Sequence, residues 1–360
     1  MRILCITSQR ASLTNVRPEA EIFIGLQARG CDVTVMTEAD SDYAPIMREA
    51  GITVVDFHTQ GKFDRAAISS IRTQLTSHDI VYAFNNNAIA NTVRAARGSA
   101  VKVVTYRGQT GNISRWDPFA YLTHLHPRVD RIICVADAVR RSLVPQLRNP
   151  DKAVTVYKGH NPDWYADIEP VQRAALGIPA DAVALVCVSN YRPRKGIEYL
   201  LESLADAPPD LHLVLAGAGT DADKLQQLAA KTIGTERLHA LGYLEDVLPL
   251  TRSADIAVLP ALRREGLPKT VIEAMACARP VIVTDTGGNA ELVADGETGI
   301  VVAPGDRSAM GAAVSRLASD ASLRERMGAA GRERIARHFN VGQTIEQTYA
   351  VFSSLLENKG

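Results

Sequence analysis

Two glutamates stand eight positions apart within residues 264–291, REGLPKTVIEAMACARPVIVTDTGGNAE. Glu265 falls in a Gly-Pro loop, and Glu273 lies on the first or second turn of a predicted helix. Pro268 is well placed as an early residue of that helix, because its missing N–H is not needed there. Four backbone N–H groups would then be free at the positive end of the helix dipole, those of Gly266, Leu267, Lys269 and Thr270. Such an end suits a diphosphate, while Glu273 can accept both hydroxyls of a ribose and Glu265 can meet a sugar beyond the phosphates. The segment is therefore predicted to bind three parts of a sugar nucleotide.

The two glutamates belong to a longer pattern over residues 265–306, EGLPKTVIEAMACARPVIVTDTGGNAELVADGETGIVVAPGD. This pattern resembles the retaining nucleotide-sugar glycosyltransferases of family four, which have the GT-B fold. The resemblance implies two Rossmann-like α/β domains that face a central cleft, with a C-terminal helix that crosses back to the first domain. It is close over residues 181–306 and holds only in outline over the first half of the chain.

The resemblance also implies which residues bind the donor. Lys195, in the loop SNYRPRKG at residues 189–196, looks like the family's diphosphate lysine. The family's arginine in this loop falls on Asn190, and Arg192 or Arg194 could supply the missing bidentate guanidinium. The other implied donor-binding residues lie in two glycine turns and in the Glu-x7-Glu segment: Gly217, Gly219, Tyr243, Gly266, Leu267, Pro268, Lys269 and Glu273.

The predicted catalytic residues are Lys195, Glu265 and Arg107. Lys195 would stabilise the leaving diphosphate, and Glu265 would hold the donor sugar. Arg107 stands where many family members have a histidine; because it is always charged, it could bind donor or acceptor oxygens but could not act as a base. Two Asp-x-Asp pairs, at residues 40–42 and 221–223, are interpreted as helix caps or turns. No metal and no other cofactor is expected.

Polar side chains near predicted strand ends of the first half are candidates for an acceptor site. These residues are Asn15, Arg17, Glu19 and Asn86. Ordinary capping of helix N-termini explains the same residues equally well.

The chain has 360 residues and 46% apolar residues, which is enough for two domains of ordinary size. The predicted domains are residues 1–165, residues 166–340 and, as a helix returning to the first domain, residues 341–360. Short apolar runs alternate with helical patterns in both halves, which indicates parallel sheets. The predicted strands are Ile3–Thr7, Val33–Thr37, Thr53–Phe57, Ile80–Phe84, Val101–Thr105, Arg131–Val135, Ala182–Val188, His212–Ala216, Leu238–Leu241, Ile256–Leu259, Val281–Thr284 and Ile300–Val302.

Charge is unevenly distributed although the net charge is zero. Residues 1–165 carry 20 Lys and Arg against 15 Asp and Glu, and the remainder carries 20 against 25. Two explanations fit the excess of basic residues in the first half. The charges are either scattered over a solvated surface, or they form a surface that binds anionic lipid or a phosphorylated glycan acceptor. Nucleic acid is not an expected partner, because aromatic residues make up only 5% and are not interleaved with the basic ones.

The sequence has no long apolar run and no signal-peptide pattern at its start, so we expect a cytoplasmic protein, peripheral at the inner membrane face.

Together these features predict a retaining transferase that moves a sugar from a UDP- or GDP-type donor to a glycan or lipid-linked acceptor. The expected setting is bacterial-type cell-surface polysaccharide or lipopolysaccharide biosynthesis. Two alternatives stay open: a GT-B sugar-nucleotide epimerase, and a non-catalytic sugar-nucleotide-binding protein, which the departures at Asn190 and Arg107 motivate. A nicotinamide enzyme is not expected, because the first strand is not followed by Gly-x-Gly-x-x-Gly.

Overall fold

The computed structural model describes residues 1–8 and 13–357, without the side chains of residues 13–15. The chain forms two compact units. Unit 1 is Met1–Gly159 together with the C-terminal segment from Val341, and unit 2 is His160–Asn340. The boundary between the two units lies after Gly159, six residues before the boundary that the sequence predicts after Tyr165. The physical reason is that the His160 N–H donates to the Phe339 carbonyl at 2.8 Å, which ties the first residues of the junction to unit 2.

Unit 1 is built on a seven-stranded parallel sheet of order β3-β2-β1-β4-β5-β6-β7. Its strands are β1 (Arg2–Ile6), β2 (Asp32–Thr37), β3 (Thr53–Asp56), β4 (Ile80–Ala83), β5 (Lys102–Arg107), β6 (Arg131–Cys134) and β7 (Ala153–Thr155). The central strands read as continuous apolar runs and are buried at every residue of β4, as expected for a parallel sheet with helices on both faces.

The helices of unit 1 are α1 (Leu13–Ala28), α2 (Ala44–Glu49), α3 (Arg65–Leu75), α4 (Asn86–Ala95), α5 (Asp137–Leu143) and, from the end of the chain, α13 (Val341–Glu357). Asp64 caps α3 by accepting the N–H groups of Ala66 and Ala67, and Asn85 caps α4 by accepting that of Ala88. These caps satisfy backbone donors that a helix start otherwise leaves unpaired.

Helix α13 packs on α1 and on the sheet of unit 1. Phe352 is fully buried, with its ring edge-on to Tyr82 at 5.4 Å between centroids. Ile345 lies so close to Gly25 of α1 that a Cβ at that glycine would meet the Ile345 side chain at 2.2 Å. The predicted return of the last helix to the first domain is therefore confirmed.

Unit 2 is built on a six-stranded parallel sheet of order β10-β9-β8-β11-β12-β13. Its strands are β8 (Val183–Val188), β9 (Leu211–Ala216), β10 (Leu238–Ala240), β11 (Ile256–Leu259), β12 (Val281–Thr284) and β13 (Gly299–Val302). Its helices are α6 (Ile197–Ser203), α7 (Asp223–Ala229), α8 (Leu248–Ser253), α9 (Lys269–Ala276), α10 (Asn289–Leu292), α11 (Arg307–Ser319) and α12 (Ala321–His338).

Both sheets have the Rossmann-like arrangement that the sequence predicts, so the predicted fold class is confirmed. None of the helices in the described part of the chain has the length and apolarity needed to cross a bilayer. The predicted strands did not include β7. This strand is three residues long, too short for a periodic apolar pattern to stand out.

Candidate functional site

The donor residues predicted from the sequence gather at one edge of the unit 2 sheet. Strands β8 and β11 are neighbours in the sheet, but the chain leaves them in opposite directions, to β9 and to β12. In an open parallel sheet such a switch point creates a crevice at the carboxyl ends of the two strands, where ligands bind. The loop after β8 carries Lys195, and the loop after β11 carries Glu265.

Lys195 and Glu265 meet across the switch point. The Lys195 Nζ atom donates to Glu265 Oε1 at 2.7 Å, and Glu265 is only 5% exposed. Arg194 lies in the same place, because one of its guanidinium nitrogens is 3.7 Å from Glu265 Oε1 and donates to the Arg264 carbonyl at 3.3 Å. Arg192 is exposed at the start of the 3-10 turn Pro193–Lys195. Of the two arginines that the sequence left open, Arg194 is the one beside Glu265.

Two glycines let the backbones of these loops approach each other closely. Gly196 has φ of +72°, and a Cβ there would lie 2.0 Å from the Pro260 carbonyl oxygen. Gly287 has φ of +59°, and a Cβ there would lie 2.3 Å from the Glu265 carbonyl oxygen. Only glycine suits both the left-handed conformation and the lack of space. The loops after β8 and β12 are thus packed onto the loop that carries Glu265.

Helix α9 positions the second glutamate, with one correction to the sequence prediction. Pro268 is not helical: its φ of −71° and ψ of 119° are extended, and the helix begins at Lys269. Pro268 is therefore the N-cap residue, which still needs no N–H for the helix. Glu273 is 1% exposed on the second turn of α9, and its Oε1 lies 3.0 Å from Lys269 Nζ.

The carboxyl group of Glu273 is electrostatically unusual. Burial raises its pKa from 4.5 to about 7, and the nearby Lys269 ammonium only partly opposes this shift. Apart from the ion pair with Lys269 Nζ at 3.0 Å, the buried Oε1 atom has no hydrogen-bond partner among the described residues. An acceptor atom of this kind is costly unless a donor such as a ribose hydroxyl reaches it.

The raised pKa of Glu273 predicts a pH dependence of stability. Between about pH 4.5 and pH 7 the folded chain holds a proton on Glu273 that the unfolded chain has released, so stability falls as the pH rises through this window. The effect is on the order of 3 kcal/mol for a shift of this size. We expect Glu273→Gln to abolish this pH dependence. The free energy of unfolding of the variant, measured by urea denaturation, should therefore increase relative to that of the parent as the pH rises. Parallel curves for the two proteins would contradict the shift.

The predicted glycine turn of the nucleotide site follows β9. The Gly217 N–H donates to the Gly242 carbonyl at 2.7 Å, which joins this turn to the loop after β10. Asn190, where the family's arginine was expected, accepts the N–H of Ala218 at 3.0 Å with its side-chain oxygen. The departure at Asn190 thus has a structural role that the sequence did not reveal, since it orders the turn Gly217–Gly219. Tyr243 follows Gly242 and is 68% exposed.

The acceptor candidates lie at the corresponding switch point of unit 1, where β1 and β4 are neighbours. Glu19 of α1 accepts the Thr7 hydroxyl and lies 3.8 Å from Lys158 Nζ, and burial raises its pKa. Arg17 Nε is 3.7 Å from the Glu21 carboxylate, one turn along the same helix. Asn86 is exposed at the first residue of α4. The side chain of Asn15 lies outside the described residues. The sequence did not single out Lys158, because its partner is 139 positions away (158 minus 19).

Arg107 ends β5 and is buried, with 7% of its surface exposed. Its guanidinium donates to the Gly111 carbonyl of the following loop, and burial lowers its pKa. His124 is also buried and shares a hydrogen bond with the Thr105 hydroxyl. Burial and the nearby Arg107 charge lower the pKa of His124 to about 3, so this histidine is neutral. Arg107 therefore shapes the loop after β5 from inside unit 1.

We expect Arg107→Ala to raise the acceptor KM or abolish transfer, with nucleoside diphosphate affinity changed less than about threefold. The variant should also lose roughly 1–3 kcal/mol of stability, because the Gly111 carbonyl loses its donor. Arg107→Lys should rescue only in part, since lysine cannot reproduce a planar guanidinium. Steady-state kinetics and thermal unfolding check both effects, and a fall in stability with unchanged kinetics would make Arg107 purely structural.

Comparisons with known proteins identify similar sequences and structures. Residues 169–334 match the family model described as glycosyl transferases group 1, and residues 20–164 match the one described as glycosyltransferase family 4. The lipopolysaccharide core biosynthesis glycosyltransferase LpsE of Rhizobium meliloti is 31% identical over 47% of this chain and 49% of its own length. The phosphatidyl-myo-inositol mannosyltransferase of Mycobacterium leprae is 27% identical over 87% of this chain and 86% of its own.

The chain spans about half the length of several curated relatives that it matches. Among solved structures, Anabaena Alr3699/HepE in complex with UDP superposes with a TM-score of 0.79 at 20% identity, over 98% of this chain and all of that one. This likeness shows the GT-B fold. With the two family matches and the Glu-x7-Glu segment at the switch point of unit 2, the chain belongs to glycosyltransferase family four.

Proposed function

We propose that the protein is a retaining glycosyltransferase that moves a hexosyl group from a nucleoside-diphosphate sugar to a glycan or lipid-linked acceptor. The observation that carries the proposal is the cluster at the unit 2 switch point, where Lys195 and Arg194 surround the buried carboxylate of Glu265. The buried Glu273 lies on the second turn of α9, the helix that follows this loop. Lys195 and Arg194 supply positive charge for a diphosphate. Glu265 supplies a hydrogen-bond acceptor for the sugar hydroxyls, and Glu273 supplies one for the ribose. The solved HepE structures are described with UDP and with UDP-glucose, which supports a uridine donor for this chain as well.

In the proposed reaction the acceptor hydroxyl oxygen attacks the anomeric carbon on the face that the diphosphate leaves. The bond between that carbon and the diphosphate oxygen breaks, and the departing oxygen takes the hydroxyl proton. Negative charge grows on the diphosphate as the bond breaks, and the Lys195 ammonium and the Arg194 guanidinium stabilise it. Glu265 would bind hydroxyls of the donor sugar, and its ion pair with Lys195 would fix the lysine before the donor arrives.

The proposed setting is cell-surface polysaccharide or lipopolysaccharide biosynthesis of the bacterial type. It is supported by relatives such as LpsE, whose name places that protein in lipopolysaccharide core biosynthesis. In this proposal the acceptor contacts Arg17, Glu19, Asn86 and Arg107.

A donor screen by thermal shift tests the proposal. UDP, GDP and their sugars would be added to the purified chain, and a bound ligand raises the apparent melting temperature by mass action. The best donor is then incubated without acceptor, and the products are followed by proton NMR spectroscopy, which distinguishes sugar epimers of equal mass. Slow release of the free sugar with its nucleoside diphosphate supports a transferase. A new nucleotide sugar would mean an epimerase, and binding without any turnover would mean a non-catalytic protein.

We expect chelation with EDTA to leave the transferase activity intact. Lys195 and Arg194 already place positive charge beside Glu265, which is the role that a metal ion has in metal-dependent transferases. The carboxylates of both Asp-x-Asp pairs are exposed, and Asp223 is the first residue of α7. A loss of activity on chelation that Mn²⁺ or Mg²⁺ restores would overturn this prediction.

A further inference from the structure

Two aromatic side chains of unit 1 are exposed within one turn. Among the described residues, five large apolar side chains are exposed, and Trp116 at 82% and Phe119 at 67% are two of them. They flank the exposed Pro118 in the segment Ser114–Leu122, which we call the aromatic turn. Exposing two large rings three residues apart costs free energy in water, so such a feature is a candidate for an interaction surface.

The aromatic turn is held by hydrogen bonds that keep the rings outside. The Trp116 N–H donates to the Ser114 hydroxyl at 3.2 Å, and the Asp117 N–H donates to the Ser114 carbonyl at 3.0 Å. The Asp117 carboxylate accepts the Phe119 N–H at 2.9 Å and caps the 3-10 turn Pro118–Leu122. The Tyr121 hydroxyl donates back to the Arg115 carbonyl at 3.2 Å. A segment with this many local bonds has little conformational freedom left to lose, which lowers the entropic cost of binding through its rings.

Positive charge accompanies the exposed rings. The Arg115 guanidinium lies 5.3 Å from the Trp116 ring centre, and the Arg115 N–H donates to the Gln146 side chain at 3.0 Å. Gln146, Tyr121 and Arg148 line a cavity of about 300 Å³, so the exposed Arg148 belongs to the same surface. Residues 107–152 carry eight Lys and Arg against four Asp. Two of these aspartates, Asp130 and Asp137, are paired with other arginines.

We propose that the aromatic turn docks unit 1 onto an anionic lipid membrane. Trp116 and Phe119 would insert at the level of the headgroups, while Arg115 and Arg148 would bind lipid phosphates. Tryptophan prefers this interface, and basic residues beside it add electrostatic attraction to anionic leaflets. Two protruding rings are too small a surface for a stable protein partner, which needs about 800 Å² on each side. The inference goes beyond the proposed function, because it holds for any donor sugar.

Vesicle binding of the full chain tests the proposal. Trp164→Phe leaves Trp116 as the single tryptophan reporter, and its emission should shift to shorter wavelength with vesicles of phosphatidylcholine and phosphatidylglycerol. Phosphatidylcholine alone should give weak binding, and added salt should weaken binding to the mixed vesicles. In co-sedimentation, Trp116→Ser/Phe119→Ser should bind the mixed vesicles at least about tenfold more weakly, the scale for two rings that no longer leave water. Arg115→Gln/Arg148→Gln should remove most of the preference for anionic vesicles.

Phe63→Ser is the matched control, because Phe63 is also an exposed ring beside an arginine, 3.9 Å from the Arg94 guanidinium. It should bind vesicles like the parent. The proposal is overturned if the parent does not bind, if the double serine variant binds like the parent, or if Phe63→Ser weakens binding as much. Binding of UDP and the melting temperature are measured on every variant. Both should stay unchanged, so the result is independent of whether the proposed transferase activity is correct.

Discussion

Lys195→Ala is expected to lower turnover at least about a hundredfold, the usual scale for removing one group that stabilises charge in a transition state. Lys195 Nζ is 2.7 Å from Glu265 Oε1 at the unit 2 switch point, so the variant loses a cation for the diphosphate and the group that fixes Glu265. The loss should fall on kcat more than on the donor KM, because the diphosphate gains its extra charge only as the bond breaks. Steady-state kinetics with the donor found in the thermal-shift screen measures both constants.

Lys224→Ala is the matched control for this change. Lys224 is an exposed lysine of the same unit, paired with Glu198 at 2.9 Å, and its removal should leave kcat unchanged. Near-normal turnover in Lys195→Ala would move the charge-stabilising role to Arg194, the other cation beside Glu265. Arg194→Ala would then have to show the large loss, and if neither variant did, the proposed site would be wrong.

The fold could be predicted because its strands are apolar and separated by helical patterns. Ile256–Leu259 and Val281–Thr284 occur as predicted, and most other strands differ only by a residue or two at their ends. Strand β7 could not be found, since Ala153–Thr155 is three residues long and carries a threonine at its end. Its place at the sheet edge depends on pairing with β6, which is a tertiary contact.

The candidate site was predicted in its residue types but not in its contacts. The Glu-x7-Glu segment and Lys195 could be singled out from local pattern and resemblance. The ion pair between Lys195 and Glu265 joins residues 70 positions apart, and it exists because β8 and β11 are neighbours in the sheet. The role of Asn190 was hidden for the same reason, since it accepts the N–H of Ala218 from the next strand's loop. Strand order is set by packing of the whole unit, and no local pattern contains it.

Glu273→Ala is expected to weaken UDP binding by about 2–3 kcal/mol, roughly thirty- to two-hundredfold in Kd, because a buried ribose would lose a charged acceptor. The basis of this expectation is the buried Oε1 atom, whose one partner among the described residues is the Lys269 ammonium at 3.0 Å. Isothermal titration calorimetry gives the dissociation constant. Glu297→Ala, which removes an exposed carboxylate of the same unit, should leave it unchanged.

The pKa of Glu273 makes the same assignment testable through protons. A ribose diol donates to the ionised carboxylate, so binding should favour ionisation of a group whose pKa is about 7. At pH 7 the parent should therefore release a fraction of a proton when UDP binds, detected as a binding enthalpy that depends on the ionisation enthalpy of the buffer. Its Kd should improve as the pH rises through 7. In Glu273→Gln both effects should shrink to the part that comes from the terminal phosphate of UDP, whose own second pKa is about 6.

Stability and binding should move in opposite directions at this residue. Burial of the ionised carboxylate costs free energy above pH 7, so Glu273→Gln, which keeps the shape of the side chain, should be at least as stable as the parent at pH 8. The same variant should bind UDP more weakly, because a neutral amide is a weaker acceptor than a carboxylate. A group that destabilises the fold and strengthens ligand binding is retained for the ligand. If Glu273→Gln instead lost stability at pH 8 and bound UDP as the parent does, Glu273 would be a structural partner of Lys269 and the ribose site would lie elsewhere.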